Sequence, residues 1–453
     1  MPKLLRRILK YPAWLFARLG IVGPLVFFYA RIVEEVDPGH SRGDGNLPTL
    51  FALTSNRFRG DLKILARTGE FRVLQVPFPW QARLVNLFYP LDTPREAMRQ
   101  PKADEKIARM QKRYRHFLRA FLPALYKKLG VDCVIGAAIG YVQDLDWGAV
   151  SEEVGVPYVV LQRENLVTNR GRIKYFTDKC RKLGKFHGSH IITHNETIRE
   201  IFVRSGYVTS DHISSLGCLR MDEFVGKVRA HKGNPNRRKK VVFFSFGPGT
   251  GLSGITTVWP RDRDVGLVKF FERSHAAFGE LARDHPEVDF VLKPKWGGRW
   301  VSEVERVLRL NGTAPGDCEN LHILPDADAQ RLILESDVVC GFGSTALLEA
   351  GIAGKPVVVP HFDETLSPKF RDHVLFQEHF QLFDIARSPA ELKSLILERL
   401  RDPAVDEACM AVRRTAFEEI VSSLKGDATE KYAVLLKRVI DERRRIGRSA
   451  VAA

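Results

Sequence analysis

The sequence has no CxxC pair. Its six cysteines, at positions 133, 180, 218, 318, 340 and 409, show no metal-like spacing. That excludes a zinc ribbon or finger and suits a protein of a reducing compartment. Cys133 and Cys340 lie in apolar runs and read as small core residues. The longest apolar stretch near the start, "IVGPLVFFYARIV", is too short to span a bilayer before Arg31 and Glu34. The first residues lack a clear signal-peptide cleavage site. No short internal repeat recurs, and no RNA- or DNA-binding motif accompanies the basic run "RRKK".

Positive charge is abundant: 70 Lys and Arg stand against 54 Asp and Glu, a net +16. The surplus favours anionic partners, whether phosphorylated small molecules, acidic membranes or nucleic acid. Basic residues interleaved with aromatics on one module are missing, so no nucleic-acid partner is expected. With 453 residues, 44% hydrophobic and 27% charged, the chain is ordinary globular material for two or three domains.

Residues 1–37 read as a separate segment. At helical spacing Leu4, Leu5, Ile8, Leu9, Leu15, Phe16 and Leu19 fall on one face, while Lys3, Arg6, Arg7, Lys10 and Arg18 fall on the other. A basic amphipathic helix followed by a short apolar plug suits an interfacial anchor on the inner face of an anionic membrane, giving a cytoplasmic, peripheral protein. The plain alternative is a helix packed on the protein's own body.

After the turn-rich "PGHSRGDGNLP" an α/β alternation begins, with strands expected in "TLFALT", "FRVLQVP", "VDCVIGAA", "VPYVVLQRE", "SHIITHN" and "HISSLG". The polar break "VRAHKGNPNRRKK" reads as an interdomain linker. A second series follows in "VVFFSF", "VDFVLKPK", "NLHILP", "SDVVCGF" and "KPVVVP", and the tail looks helical. The expected domains are therefore 45–230 and 238–388, both Rossmann-like, with C-terminal helices over 389–447. In such sheets ligands lie at the carboxyl edges of the strands, and with two domains the natural site is a central cleft.

The most informative stretch is "CGFGSTALLEAGIAGKPVVVPHF", Cys340 to Phe362. It reads as strand, glycine turn, helix, strand: a right-handed βαβ crossover. Gly343, Ser344 and Thr345 would open the helix toward an anion, and Glu349 lies one turn in, within reach of ribose hydroxyls. In the bland reading Ser344 only caps the helix and Glu349 is solvated. Three further segments follow separate strand ends. "GPGTG" (Gly247, Gly249, Thr250) is read as a flexible loop able to cradle a diphosphate, and "KPK" offers Lys293 and Lys295. "WPRDRD" carries Trp259, Arg261 and Arg263. Each is weak alone; together they suit a nucleotide.

"SDVVCGFGSTALLEAGIAGKPVVVP" resembles the C-terminal donor-site signature of GT-B glycosyltransferases. It is nearest to capsule and surface-polysaccharide enzymes, with UDP-N-acetylglucosamine 2-epimerases and glycerophosphotransferases as distant kin. "HISSLGCLRMDEF" resembles their G-x-x-R-x-D segment, here Gly217, Arg220 and Asp222, and Lys295 departs from their pattern by standing where histidine is common. The resemblance implies that Ser344, Thr345 and Glu349 hold the nucleotide, with Lys293 and Arg220 near the phosphates. It implies transfer of a sugar from a nucleotide-sugar donor to a surface or capsular polysaccharide, or to a lipid-linked acceptor. No cofactor or metal is then needed, because amides and lysines absorb the leaving charge. "DLD", Asp144 to Asp146, is the one formal DxD match and reads as a helix-entry loop. An epimerase or a glycerophosphotransferase-like enzyme on the same scaffold is the alternative.

Transfer needs a base for the acceptor hydroxyl, expected on the first domain. Glu164, after "VPYVVLQR", and Asp61, ending "SNRFRGD", are the candidates, with His194 third. A structural role for each is the alternative.

Overall fold

The computed structural model describes residues 15–17, 19–37, 39, 47–58, 60–233, 237–252, 255, 259–262 and 264–452, without the side chains of 448–452. The basic face expected over residues 3–10, and Arg18 and Arg263, lie outside the described residues. The chain divides into two compact units. One comprises 1–165, 178–222 and 426–453; the other comprises 166–177 and 223–425.

The first unit is built on seven strands: β1 (Glu34–Glu35), β2 (Thr49–Ala52), β3 (Arg72–Gln75), β4 (Cys133–Gly136), β5 (Tyr158–Leu161), β6 (His190–Thr193) and β7 (Ile213–Ser215). Their order is β1-β3-β2-β4-β5-β6-β7, parallel throughout except for β1, which runs antiparallel on β3. Every residue of β2, β4, β5 and β6 is buried. Such fully buried, mostly apolar strands are what a parallel sheet with both faces covered requires. Leu50, Ala52, Cys133 and Ile135 enter a core that also takes Tyr432, Leu436 and Ile440 from the C-terminal helix Ala428–Ala452. Asp222 fixes the start of that helix by accepting from the Ala428 and Thr429 amides at 3.2 and 2.6 Å.

The second unit has six parallel strands: β8 (Lys240–Phe244), β9 (Asp289–Lys293), β10 (Leu321–Ile323), β11 (Val338–Gly341), β12 (Val357–Pro360) and β13 (Asp384–Ala386). Their order is β10-β9-β8-β11-β12-β13. This is the doubly wound Rossmann order, with the winding reversing between β8 and β11. Phe243, Phe246, Phe270, Phe342 and Phe362 stack beneath the carboxyl ends of the strands, with Phe246–Phe270 centroids 4.8 Å apart and Phe270–Phe342 4.9 Å. They form a rigid floor for the loops above.

One local reading of the sequence changes. Asp144–Asp146 is not a helix-entry loop: it lies inside the helix Val142–Glu153. Apolar residues there flank aspartates that point inward, so helical periodicity was masked. "PFPWQAR" forms the helix Phe78–Asn86, begun by a proline in its first turn, and Trp80 is buried within it.

Candidate functional site

In a doubly wound sheet the ligand crevice lies beyond the carboxyl ends of the strands that flank the reversal. Both glycine segments singled out by sequence emerge there, Gly247–Gly251 after β8 and Phe342–Thr345 after β11. They touch. A Cβ on Gly343 would lie 2.9 Å from Thr250 Cγ2 and 2.8 Å from Leu375 Cδ1, and Gly343 has φ +63°. Gly251, at φ +84°, faces the His373 carbonyl so closely that a side chain has no room. Glycine is required at both positions by space and by backbone conformation.

The "GPGTG" segment is a locked turn, where a flexible loop was expected. Thr250 N donates to Gly247 O at 2.9 Å, and Gly247 N donates back to Thr250 Oγ1 at 3.1 Å. Pro248 O accepts from Leu267 N at 2.7 Å, and the Trp259 ring lies over Gly247, 3.1 Å from where a Cβ would stand. After β11 the helix is short, Ala346–Ile352, and Ser344 Oγ accepts from its Ala346 amide at 3.2 Å. Ser344 therefore holds the first helical amide from one position before the N-cap, Thr345, whose own side chain makes no cap bond, and Gly343, Ser344 and Thr345 are half-exposed beside the turn. Glu349 is 4% exposed and so sits inside the unit, not in solvent.

Lys293 ends β9, the strand next to β8. Its ammonium donates to the carbonyls of Pro294 (2.9 Å) and Pro325 (2.6 Å). Lys295 is exposed two residues on.

Sequence reasoning missed three features of this region. The first is a hydrogen-bond chain under the turn. Trp300 Nε1 donates to Ser245 Oγ at 2.9 Å, Ser245 Oγ lies 2.8 Å from His275 Nε2, and His275 Nδ1 lies 2.7 Å from Phe271 O. Burial pushes His275 down to about 4, so the ring is neutral at pH 7. A neutral ring facing a carbonyl through Nδ1 must carry its proton there, which leaves Nε2 to accept from the Ser245 hydroxyl. The second is the segment Leu166–Thr177, which belongs to this unit although it is embedded in the first unit's sequence. Thr168 Oγ1 accepts from Phe376 N (3.1 Å) and Asn169 Nδ2 donates to His373 O (3.0 Å), bracing the loop that contacts Gly251 and Gly343. The third is His361, 5% exposed at the end of β12, with Nδ1 lacking a partner. Its apolar surroundings push it down to about 4. Only the histidine's place after a strand could have flagged it.

In the first unit the remaining candidates gather along the carboxyl edge of the sheet. Asp61, 4% exposed, pairs with the Arg163 guanidinium, which also donates to the Phe58 carbonyl. Glu164 is exposed. His194 lies one strand over. Burial first, then the positive charges of Arg220 and Arg163, push it well below its ordinary value, with Glu164 opposing them. Its amide donates to Asn165 Oδ1 at 3.1 Å. Arg220 thus stands in the first unit, near enough to His194 to act on its charge. Asp144 and Asp146 are taken up internally. Asp144 accepts from Thr54 Oγ1 (2.5 Å) and Gln81 (2.7 Å), and Asp146 from Gln111 (2.8 Å), Arg115 (2.7 Å) and Tyr89 (3.1 Å).

These two parallel, doubly wound units give the protein an α/β, two-domain fold of the GT-B kind. Among solved structures it is similar to a Listeria monocytogenes protein described as a UDP-N-acetylglucosamine 2-epimerase. The identity is 11%, 88% of this chain and 98% of that one are covered, and the TM-score is 0.52. It is also similar to the S. aureus MnaA–UDP complex, at 13% identity, covering 87% of this chain and 96% of that one, with a TM-score of 0.50. No protein-family model matches the chain. No curated protein matches it either.

Proposed function

We propose that the protein is a nucleotide-sugar-dependent glycosyltransferase whose second unit holds the nucleoside diphosphate of the donor. One observation carries this: the two glycine segments meet where the sheet's winding reverses, with Glu349 buried on the helix between β11 and β12. Such a crevice admits phosphates against backbone and hydroxyls, here those of Thr250, Ser344 and Thr345, while the carboxylate suits ribose. That a protein of like fold holds UDP supports the reading.

The acceptor is a surface or capsular glycan, free or lipid-linked. Its hydroxyl loses a proton to Glu164 as its oxygen bonds the anomeric carbon, and the bond to the diphosphate breaks. Glu164 is better suited than Asp61, because an exposed carboxylate can meet substrate while Asp61 is buried against Arg163. We assign the reaction no metal, since Asp144 and Asp146, the one DxD match, are buried and their Oδ1 atoms are held by Thr54, Gln81, Gln111 and Arg115. The epimerase reading is kept because the Listeria monocytogenes protein of like fold is described as a UDP-N-acetylglucosamine 2-epimerase.

The test is titration calorimetry with nucleoside diphosphates, followed by Glu349→Ala. Loss of the ribose contact should weaken the nucleotide about ten- to hundredfold and leave inorganic pyrophosphate nearly unchanged. Equal losses for both ligands would sink the ribose assignment. Incubation of the preferred nucleotide sugar alone, with a chelator present, separates the two enzymes. An epimer formed without acceptor supports the epimerase; turnover that requires a glycan acceptor supports the transferase.

A further inference from the structure

The helix Val22–Ile32 turns Leu25, Val26, Tyr29 and Ile32 inward. Tyr29 packs edge-on against Phe121 of the helix Glu105–Leu129 at 5.3 Å and donates to the Trp80 carbonyl at 3.1 Å. The outward side is also apolar. Leu15, Leu19, Ile21 and Phe27 are 49, 62, 44 and 49% exposed. Single exposed apolar side chains need no explanation, but four large ones between residues 15 and 27 form a patch.

Cations rim that patch. The Arg31 guanidinium lies 4.2 Å from the Phe27 ring centroid and Lys128 Nζ lies 5.6 Å from it. Lys127, next in sequence, lines a cavity of about 620 Å³ together with Arg72 and Arg444. Arg72 is paired with Glu35 and Arg444 with Asp132, whereas Lys127 and Lys128 have no carboxylate partner among the described residues. Two copies meeting through this face would set one cationic surface, bearing Arg31, Lys127 and Lys128, against another of the same sign, which repels. An anionic surface has the opposite sign.

We propose that this face seats on a lipid surface bearing anionic headgroups. Phe27, Leu19, Ile21 and Leu15 enter the boundary between headgroups and acyl chains, and Arg31, Lys127 and Lys128 meet the phosphates. No helix among the described residues is long and apolar enough to cross a membrane, so these helices lie on the surface. The inference does not rest on nucleotide binding in the second unit.

The test is flotation of the full chain with phosphatidylcholine vesicles, with and without phosphatidylglycerol. Binding is expected only with the anionic lipid. Leu19→Glu/Phe27→Glu, at exposed positions, should lower partitioning at least about tenfold. Lys127→Gln/Lys128→Gln should lower it about fivefold per charge and flatten its salt dependence. A Phe27→Trp reporter should shift its emission to the blue on anionic vesicles, which does not depend on the other variants folding. Unchanged nucleotide affinity in every variant is the control. Equal binding of wild type and Leu19→Glu/Phe27→Glu, equal binding to neutral vesicles, or an unshifted reporter overturns the proposal. Vesicle-free self-association that Leu19→Glu/Phe27→Glu abolishes also overturns it, because a second copy then covers the patch.

Discussion

Asp144 is 1% exposed, and burial raises its carboxyl to about 7 even though Thr54 and Gln81 donate to it. Its Oδ2 has no partner. An unfolded aspartate titrates at about 3.9, so the folded chain keeps a proton that the unfolded chain releases in between. The stabilisation from this group is therefore present below about pH 4 and lost as pH rises through about 7. Asp144→Asn keeps an acceptor for Thr54 and removes the charge. It should abolish this part of the pH dependence and stabilise the protein at pH 8 by on the order of 2 kcal/mol, read by urea denaturation across pH. A variant less stable than wild type at pH 8 would contradict it. Thr54 itself sits at φ +46°, an uncommon place for a β-branched residue, held by its amide to Gln81 (2.6 Å) and its hydroxyl to Asp144. Nothing in the sequence near Thr54 announces that conformation, because its cause lies 27 and 90 residues away.

Elements were legible where local chemistry decides them. The β-branched and apolar runs at Cys133–Gly136, Val338–Gly341 and Val357–Pro360 are strands because only a sheet covered on both faces accommodates them. The place of Gly343, Ser344, Thr345 and Glu349 after a strand and at a helix was legible for the same reason: a glycine turn between strand and helix is a local pattern. The partner of that turn was not local. Leu375, His373 and Thr250 press on Gly343 and Gly251 from distant parts of the chain, and the trio Trp300, Ser245 and His275 carries no spacing a reader can recognise. Gly343→Ala places a methyl between Leu375 and Thr250 at positive φ. It should cost about 1–3 kcal/mol and weaken nucleotide binding at least about tenfold, measured by denaturation and calorimetry on the same preparation. Wild-type affinity in a folded variant would show that the two segments do not act together.

At the scale of the whole molecule, both units are discontinuous in sequence. Periodicity reports which residues form a helix and is silent on which sheet that helix joins, so Leu166–Thr177 reads locally like its neighbours yet folds with the second unit. The C-terminal helix Ala428–Ala452 is the larger case. Tyr432, Ala433, Leu436 and Ile440 complete the core beneath β2 and β4, and Tyr432 Oη donates to Gly217 O at 3.0 Å. Removing residues 428–453 should leave that core open. We expect the shortened chain to show one cooperative transition, from the second unit, and to bind a hydrophobic dye; two transitions matching the full chain would refute this. The same feature sets an order of events on the ribosome. The β2–β7 sheet leaves the exit tunnel with a missing wall, and some two hundred residues of the second unit must be synthesised before the wall arrives. Until Tyr432, Leu436 and Ile440 have emerged, the core that holds Leu65, Phe71 and Val73 is incomplete. Nascent protein of this kind is a natural client for a holding chaperone, and the demand should grow with every pause between codons 223 and 425.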